Sequence, residues 1–201
     1  MKKRVLFVGM LGMALTFGSV SGVFAAPGLF DLKSGPTEQK NAVFLDVGTL
    51  ATYLMAGGFG GGVGYERAFG NSFSGLIHAG AGGFTYDILG SKNTAFAFEI
   101  DVHGRWYFFK TSLDKAFIDL GLGYEYYGYT YENASSWNWN QSSLTITPKA
   151  GWKFIFGKGF VLEPSIGYTI GIGLGTPEIR GDVSTHNASG LAIGVGLGWA
   201  F

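Results

Sequence analysis

Large apolar positions alternate with small or polar ones along most of this chain. The pattern is cleanest over residues 190–201, where Leu191, Ile193, Val195, Leu197, Trp199 and Phe201 share one face. Ala192, Gly194, Gly196, Gly198 and Ala200 share the other. A period of two predicts a strand, because successive side chains point to opposite faces. A half-buried strand of a soluble sheet carries polar residues on its second face. Here that face is almost bare, so the large residues look outward into an apolar medium and the small ones into a crowded interior.

Seven more segments alternate from Asn41 onward. The first, Ala42–Met55, sends Val43, Leu45, Val47 and Tyr53 outward and Phe44, Asp46 and Gly48 inward. Gly58–Phe69 and Phe73–Asp87 follow. The fourth puts Phe96, Phe98, Ile100, Val102, Trp106 and Phe108 outward against Glu99, Asp101, His103, Arg105 and Tyr107. Ala116–Tyr131, Ser143–Phe156 and Phe160–Leu174 precede the terminal strand. Roughly nine to eleven residues suffice to cross a bilayer as a tilted strand. Pro148 and Pro164 fall on outward positions of the sixth and seventh segments. Each removes a ladder donor, so a bulge or local break is expected there.

The connections alternate in length. Gly70-Asn71-Ser72, the stretch from Phe109 to Lys115 and Gly157-Lys158-Gly159 read as short periplasmic turns. A short loop near Ala56, then Ile88–Thr94, Glu132–Ser142 and Gly175–Ala188 read as surface loops. Trp106, Trp152 and Trp199 all lie near the turn side, which suggests an aromatic girdle. The fold expected is all-β: an eight-stranded antiparallel up-and-down transmembrane β-barrel over residues 41–201.

The N-terminus extends this picture. Lys2-Lys3-Arg4, the apolar run Val5–Phe17 and Val23-Phe24-Ala25 read as a secretory signal peptide over residues 1–25, cut after Ala25. Residues 26–40, polar and carrying Pro27 and Pro36, read as a periplasmic tail. No later stretch holds about 18 continuous apolar residues, so no transmembrane helix is predicted. Composition agrees: 35 Gly, 16% aromatic and only 14% charged residues, against about 25% charged in soluble domains. The formal net charge of zero gives no nucleic-acid footprint. The absence of Cys excludes disulfides, thiolate metal sites and Cys nucleophiles.

The alternation, the turn-and-loop pattern and the terminal Gly-Leu-Gly-Trp-Ala-Phe together resemble the small eight-stranded outer-membrane barrels, the group of OmpX, the OmpA membrane domain and OmpW. The resemblance implies residence in the bacterial outer membrane. It also implies contact with its lipid and recognition by the barrel-assembly machinery through the strand ending in Phe201.

Candidate chemistry is confined to inward charges and surface loops. Asp46, Glu66, His78, Glu99, Asp101, His103, Arg105, Asp119, Glu125, Lys149, Lys153 and Glu163 all face the lumen in this register. Eight strands leave room for little besides side chains, so these residues read as a charge network filling the barrel. The turn Gly157–Gly159 sets Lys153 opposite Glu163, and the Phe109–Lys115 turn sets Arg105 opposite Asp119, or opposite Gly121 after a two-residue slip. Asp101 with His103 is the arrangement nearest to a hydrolytic site. The lipid-A deacylase barrels use a closely placed His and Ser, and no Ser flanks His103. In the loops, Trp137 and Trp139 offer an exposed aromatic pair, and Arg180-Gly181-Asp182 an integrin-type triplet. No cofactor and no metal are implied. The reading is a non-enzymatic barrel with a structural or adhesion-like role, its loops meeting a host or other extracellular ligand. A narrow OmpW-like channel for small or apolar solutes is the alternative, and a membrane-embedded lipid hydrolase a third.

Overall fold

A computed structural model describes residues 39–55, 57–88, 91–110, 113–131, 139–174 and 189–201. The signal-peptide expectation, most of the tail and the triplet Arg180-Gly181-Asp182 lie outside the described residues. The strands are β1 (Asn41–Asp46), β2 (Phe59–Ala68), β3 (Phe73–Ile88), β4 (Ser91–Tyr107), β5 (Lys115–Tyr131), β6 (Trp139–Phe156), β7 (Phe160–Leu174) and β8 (Gly190–Ala200). Each pairs antiparallel with its chain neighbour, and β1 pairs with β8 to close an up-and-down barrel. Closure leaves no free sheet edge where the ladders run.

Polarity is inverted relative to a soluble domain. Leu45, Val63, Ile77, Val102, Leu122, Ile170 and Leu191 stand exposed on the outer face. Glu66, Arg105, Asp119, Lys153 and Glu163 are buried inside. Period-two alternation produces both faces at once, because every outward Leu or Ile is flanked by inward residues. On the outer face near the short turns, aromatic side chains adjoin one another. Phe109 meets Trp152, Trp152 stacks on Phe154, Phe154 on Phe156, and Phe156 meets Phe160. Trp199 is the cross-strand partner of Phe160, and Trp106 that of Phe73.

The first strand is shorter than its expected span of Ala42–Met55. β1 ends at Asp46 and the chain turns into helix α1, Val47–Met55. Local chemistry explains the switch. Asp46 caps the helix: its Oδ1 accepts from the Thr49 backbone N–H at 3.0 Å and its Oδ2 from the Thr49 hydroxyl at 2.7 Å. Leu50, Ala51, Leu54 and Met55 are good helix formers. Gly57, at φ 71°, ends the helix. Its N–H donates to Leu54 O at 3.1 Å and that of Gly58 to Tyr53 O at 2.8 Å, the paired bonds of a Schellman cap. Tyr53 is therefore not an outward strand residue. Its ring lies against Gly60 and Gly82, which pair across β2 and β3 on the lumen face, where a Cβ at either would collide with it. β1 pairs with β8 only from Ala42↔Ala200 to Asp46↔Gly196. Beyond that, the start of α1 lies beside the backbone of Gly194 and Val195.

Two expected loops are also shorter. β3 and β4 remain paired through Thr85↔Thr94 and Asp87↔Lys92, so most of Ile88–Thr94 is strand. β6 begins at Trp139 and pairs Tyr129↔Trp139 through Tyr126↔Ser142, which takes the end of Glu132–Ser142 into the wall. The prolines give the expected local breaks, without a bulge. In the β6–β7 ladder the pairs beside Pro148 and Pro164 are missing, yet Ile146↔Ile170, Lys149↔Gly167 and Phe154↔Leu162 share one register.

Candidate functional site

The lumen holds two groups of ionisable side chains at different heights. The group nearer the short turns is a closed ionic network. Arg105 on β4 is its hub. Its Nε donates to Asp119 Oδ2 at 3.1 Å, and Nη1 to Glu66 Oε2 at 2.9 Å and Glu163 Oε2 at 3.0 Å. Nη2 meets Glu163 Oε1 at 2.8 Å, so the guanidinium grips that carboxylate with two nitrogens. Lys153 Nζ lies 2.9 Å from Glu163 Oε2 and also contacts Glu66. Glu66 accepts further from the Tyr107 hydroxyl at 2.7 Å and from the Ser74 hydroxyl. His103 Nδ1 faces Asp119 Oδ1 at 3.3 Å. The Arg105 guanidinium carbon sits 4.5 Å from the Phe117 ring centre, and Phe44 flanks it at 5.9 Å.

Every member of this network is buried, Glu66 and Lys153 completely. Burial strips water from these charges, so each must be satisfied by its neighbours. The register supplies part of the answer: Arg105 and Asp119 are direct cross-strand partners, and Lys153 contacts Glu163 on the adjacent strand. The rest comes across the lumen. Glu66 on β2 reaches both Arg105 on β4 and Lys153 on β6, contacts that no pair of adjacent strands encodes. Closer to the turns, Ala42, Val161 and Ala200 form a small buried apolar cluster backed by Ile155. Leu113, in the β4–β5 turn, is also wholly buried.

The second group lies toward the loops. His78 on β3 and Asp101 on β4 are direct partners, with Nδ1 and Oδ2 3.4 Å apart. Glu99 Oε1 lies 3.8 Å from the same nitrogen, and Asp46 Oδ2 lies 4.0 Å from Nε2. Glu99 is directly opposite Glu125 on β5, and Tyr127 donates to Glu125 Oε2 at 3.2 Å. Lys149 is half-buried and is the register partner of Asp119. His78, Glu99 and Asp101 can bring three donor atoms within 4.8 Å of one another.

The acid–His arrangement weighed for hydrolysis is thus split. Asp101 faces His78, while His103 faces Asp119 inside the buried network. Trp137 lies outside the described residues, as do Arg180, Gly181 and Asp182; of Trp139 the backbone pairing to Tyr129 is described. Comparisons with protein-family models, with curated proteins and with solved structures returned no match.

Proposed function

We propose that this chain is an integral outer-membrane β-barrel with a non-catalytic role, a membrane-anchored support that presents its loops at the cell surface. One observation carries the reading: the barrel wall exposes apolar side chains around its outside while charged side chains fill its interior. Exposed apolar surface on that scale needs a partner. A bilayer covers the whole circumference of a barrel, and a barrel satisfies its own backbone groups within lipid. The aromatic row beside the short turns suits the headgroup boundary. Phe201 stands exposed beyond β8, its N–H donating to Asn41 O at 2.8 Å. This placement leaves its ring available to the assembly machinery.

The buried network argues against conduction. Arg105, Lys153, Glu66, Glu163 and Asp119 meet across the lumen, and ions have to break charge-assisted hydrogen bonds to pass. Purified barrel added to planar bilayers is expected to give no discrete current steps. Regular unitary steps from the parent protein, enlarged when Arg105 is replaced, would instead favour the channel. The surface role is tested separately. Variants lacking residues 133–137 or 177–186 are expected to fold as the parent does, yet lose adhesion of producing cells to a ligand-coated surface.

A further inference from the structure

We propose that His78, Glu99 and Asp101 form a binding site for one divalent transition-metal ion of the zinc class, in the half of the lumen that faces the loops. Geometry comes first. An ion held at about 2.0–2.2 Å by each of several tetrahedral donors keeps those donors roughly 3.4 Å apart. His78 Nδ1 is 3.4 Å from Asp101 Oδ2 and 3.8 Å from Glu99 Oε1, and the full set fits within 4.8 Å. These atoms come from neighbouring strands, with His78 and Asp101 as direct partners, so the ladder holds the spacing. Gly80 and Gly123 clear the space: the Glu99 side chain lies over Gly80 and that of Asp101 over Gly123.

Three further observations point to a cation. Thr145 is 2% exposed, and its hydroxyl has no hydrogen-bond partner among the described residues. That hydroxyl approaches the space over Gly123 from the strand opposite Asp101. A buried hydroxyl left unpaired is costly, and a water carried by an ion at Asp101 satisfies it. Next, Glu99 and Glu125 are direct cross-strand partners, an arrangement of like charges that destabilises a sheet. Finally, the cations are spent elsewhere. Arg105 and Lys153 are committed to Glu66, Asp119 and Glu163. Asp46, Glu99, Asp101 and Glu125 are left with Lys149 and His78 among the described lumen residues.

The remaining parts suit this role. Asp46 stands on the far side of the imidazole, 4.0 Å from Nε2, where a carboxylate orients a metal-bound histidine. It also caps α1, so the site and the helix share a residue. One imidazole among carboxylates favours a borderline ion such as zinc or cobalt(II) over calcium or magnesium. On binding, His78 Nδ1 gives its lone pair to the ion while the ring proton sits on Nε2, the nitrogen that faces Asp46. The side chains of His78 and Asp101 are 12% and 11% exposed and that of Glu99 31%, so access is from the loop side, the turn side being blocked by the ionic network.

The test uses the full mature chain folded in detergent micelles, dialysed against micromolar zinc and assayed for metal by mass spectrometry. One zinc per folded chain is expected, undisplaced by millimolar magnesium. Cobalt(II) is expected to give a visible ligand-field band. His78→Gln and Asp101→Asn are each expected to weaken binding by about a hundredfold and abolish the band, and Glu99→Gln by about tenfold. Glu99→Gln removes a like-charge contact and preserves shape, so it serves where another variant fails to fold, with gel mobility of unheated protein reporting folding. Folded protein that binds no zinc, or binding that survives Glu99→Gln and Asp101→Asn together, overturns the site.

Discussion

Replacing Arg105 with Met is expected to cost the barrel about 3–5 kcal/mol, the cost of breaking a buried ionic group. Arg105 meets Asp119, Glu66 and Glu163. Its removal leaves three carboxylates with Lys153, with the polar contacts of His103, Tyr107 and Ser74 as the remaining support. Lys153→Met is expected to cost less, because Arg105 still serves both Glu66 and Glu163. Adding Glu163→Gln to Lys153→Met is expected to recover part of that loss, since one of the two acids that Lys153 balanced is then neutral. Urea titration in lipid vesicles reads all three. Strict additivity of Lys153→Met and Glu163→Gln would mean that the two side chains do not touch.

The second large effect is expected on the outer face. Val102 lies in a row of cross-strand partners that runs Ile77, Val102, Leu122, Ile146 and Ile170. It is exposed in the isolated chain, as are Ile77, Leu122 and Ile170. In water, Val102→Lys at so exposed a site changes stability by no more than about 0.5 kcal/mol. In a bilayer the same lysine near the midplane costs roughly 2–4 kcal/mol. Unfolding of Val102→Lys in vesicles at a much lower urea concentration than the parent is therefore expected. A charge change near the turns, Lys110→Gln, is expected to have little effect.

The wall of the barrel was legible in the chain because one face of each strand is apolar. β7 spans Phe160–Leu174 with Glu163 inside and Pro164 outside as the alternation predicts, and the β4–β5 turn sets Arg105 beside Asp119. Legibility fails where that contrast fades. Lys92, Asn93 and Thr94 belong to the ladder, yet they are polar on both faces, so hydrogen bonding alone marks them as strand. The helix after β1 fails for a different reason. Thr49, Ala51 and Thr52 break the alternation, and Asp46, Thr49 and Gly57 carry capping signals that the strand reading overrides. The Glu66 contacts to Arg105 and Lys153 cross the lumen, so pairwise strand register holds no information about them. The cluster of His78 with Glu99 and Asp101 follows from the β3–β4 register, whereas alternation alone puts all three in the lumen and does not specify which donors converge.

On the proposed function, lipid covers the outside of this barrel. Density-gradient separation of cell envelopes, followed by alkaline carbonate extraction, tests it most directly. The chain is expected to sediment with the outer membrane, to stay in the pellet through extraction, and to run on gels at different positions before and after heating. Recovery of folded chain from the soluble periplasmic fraction would contradict it.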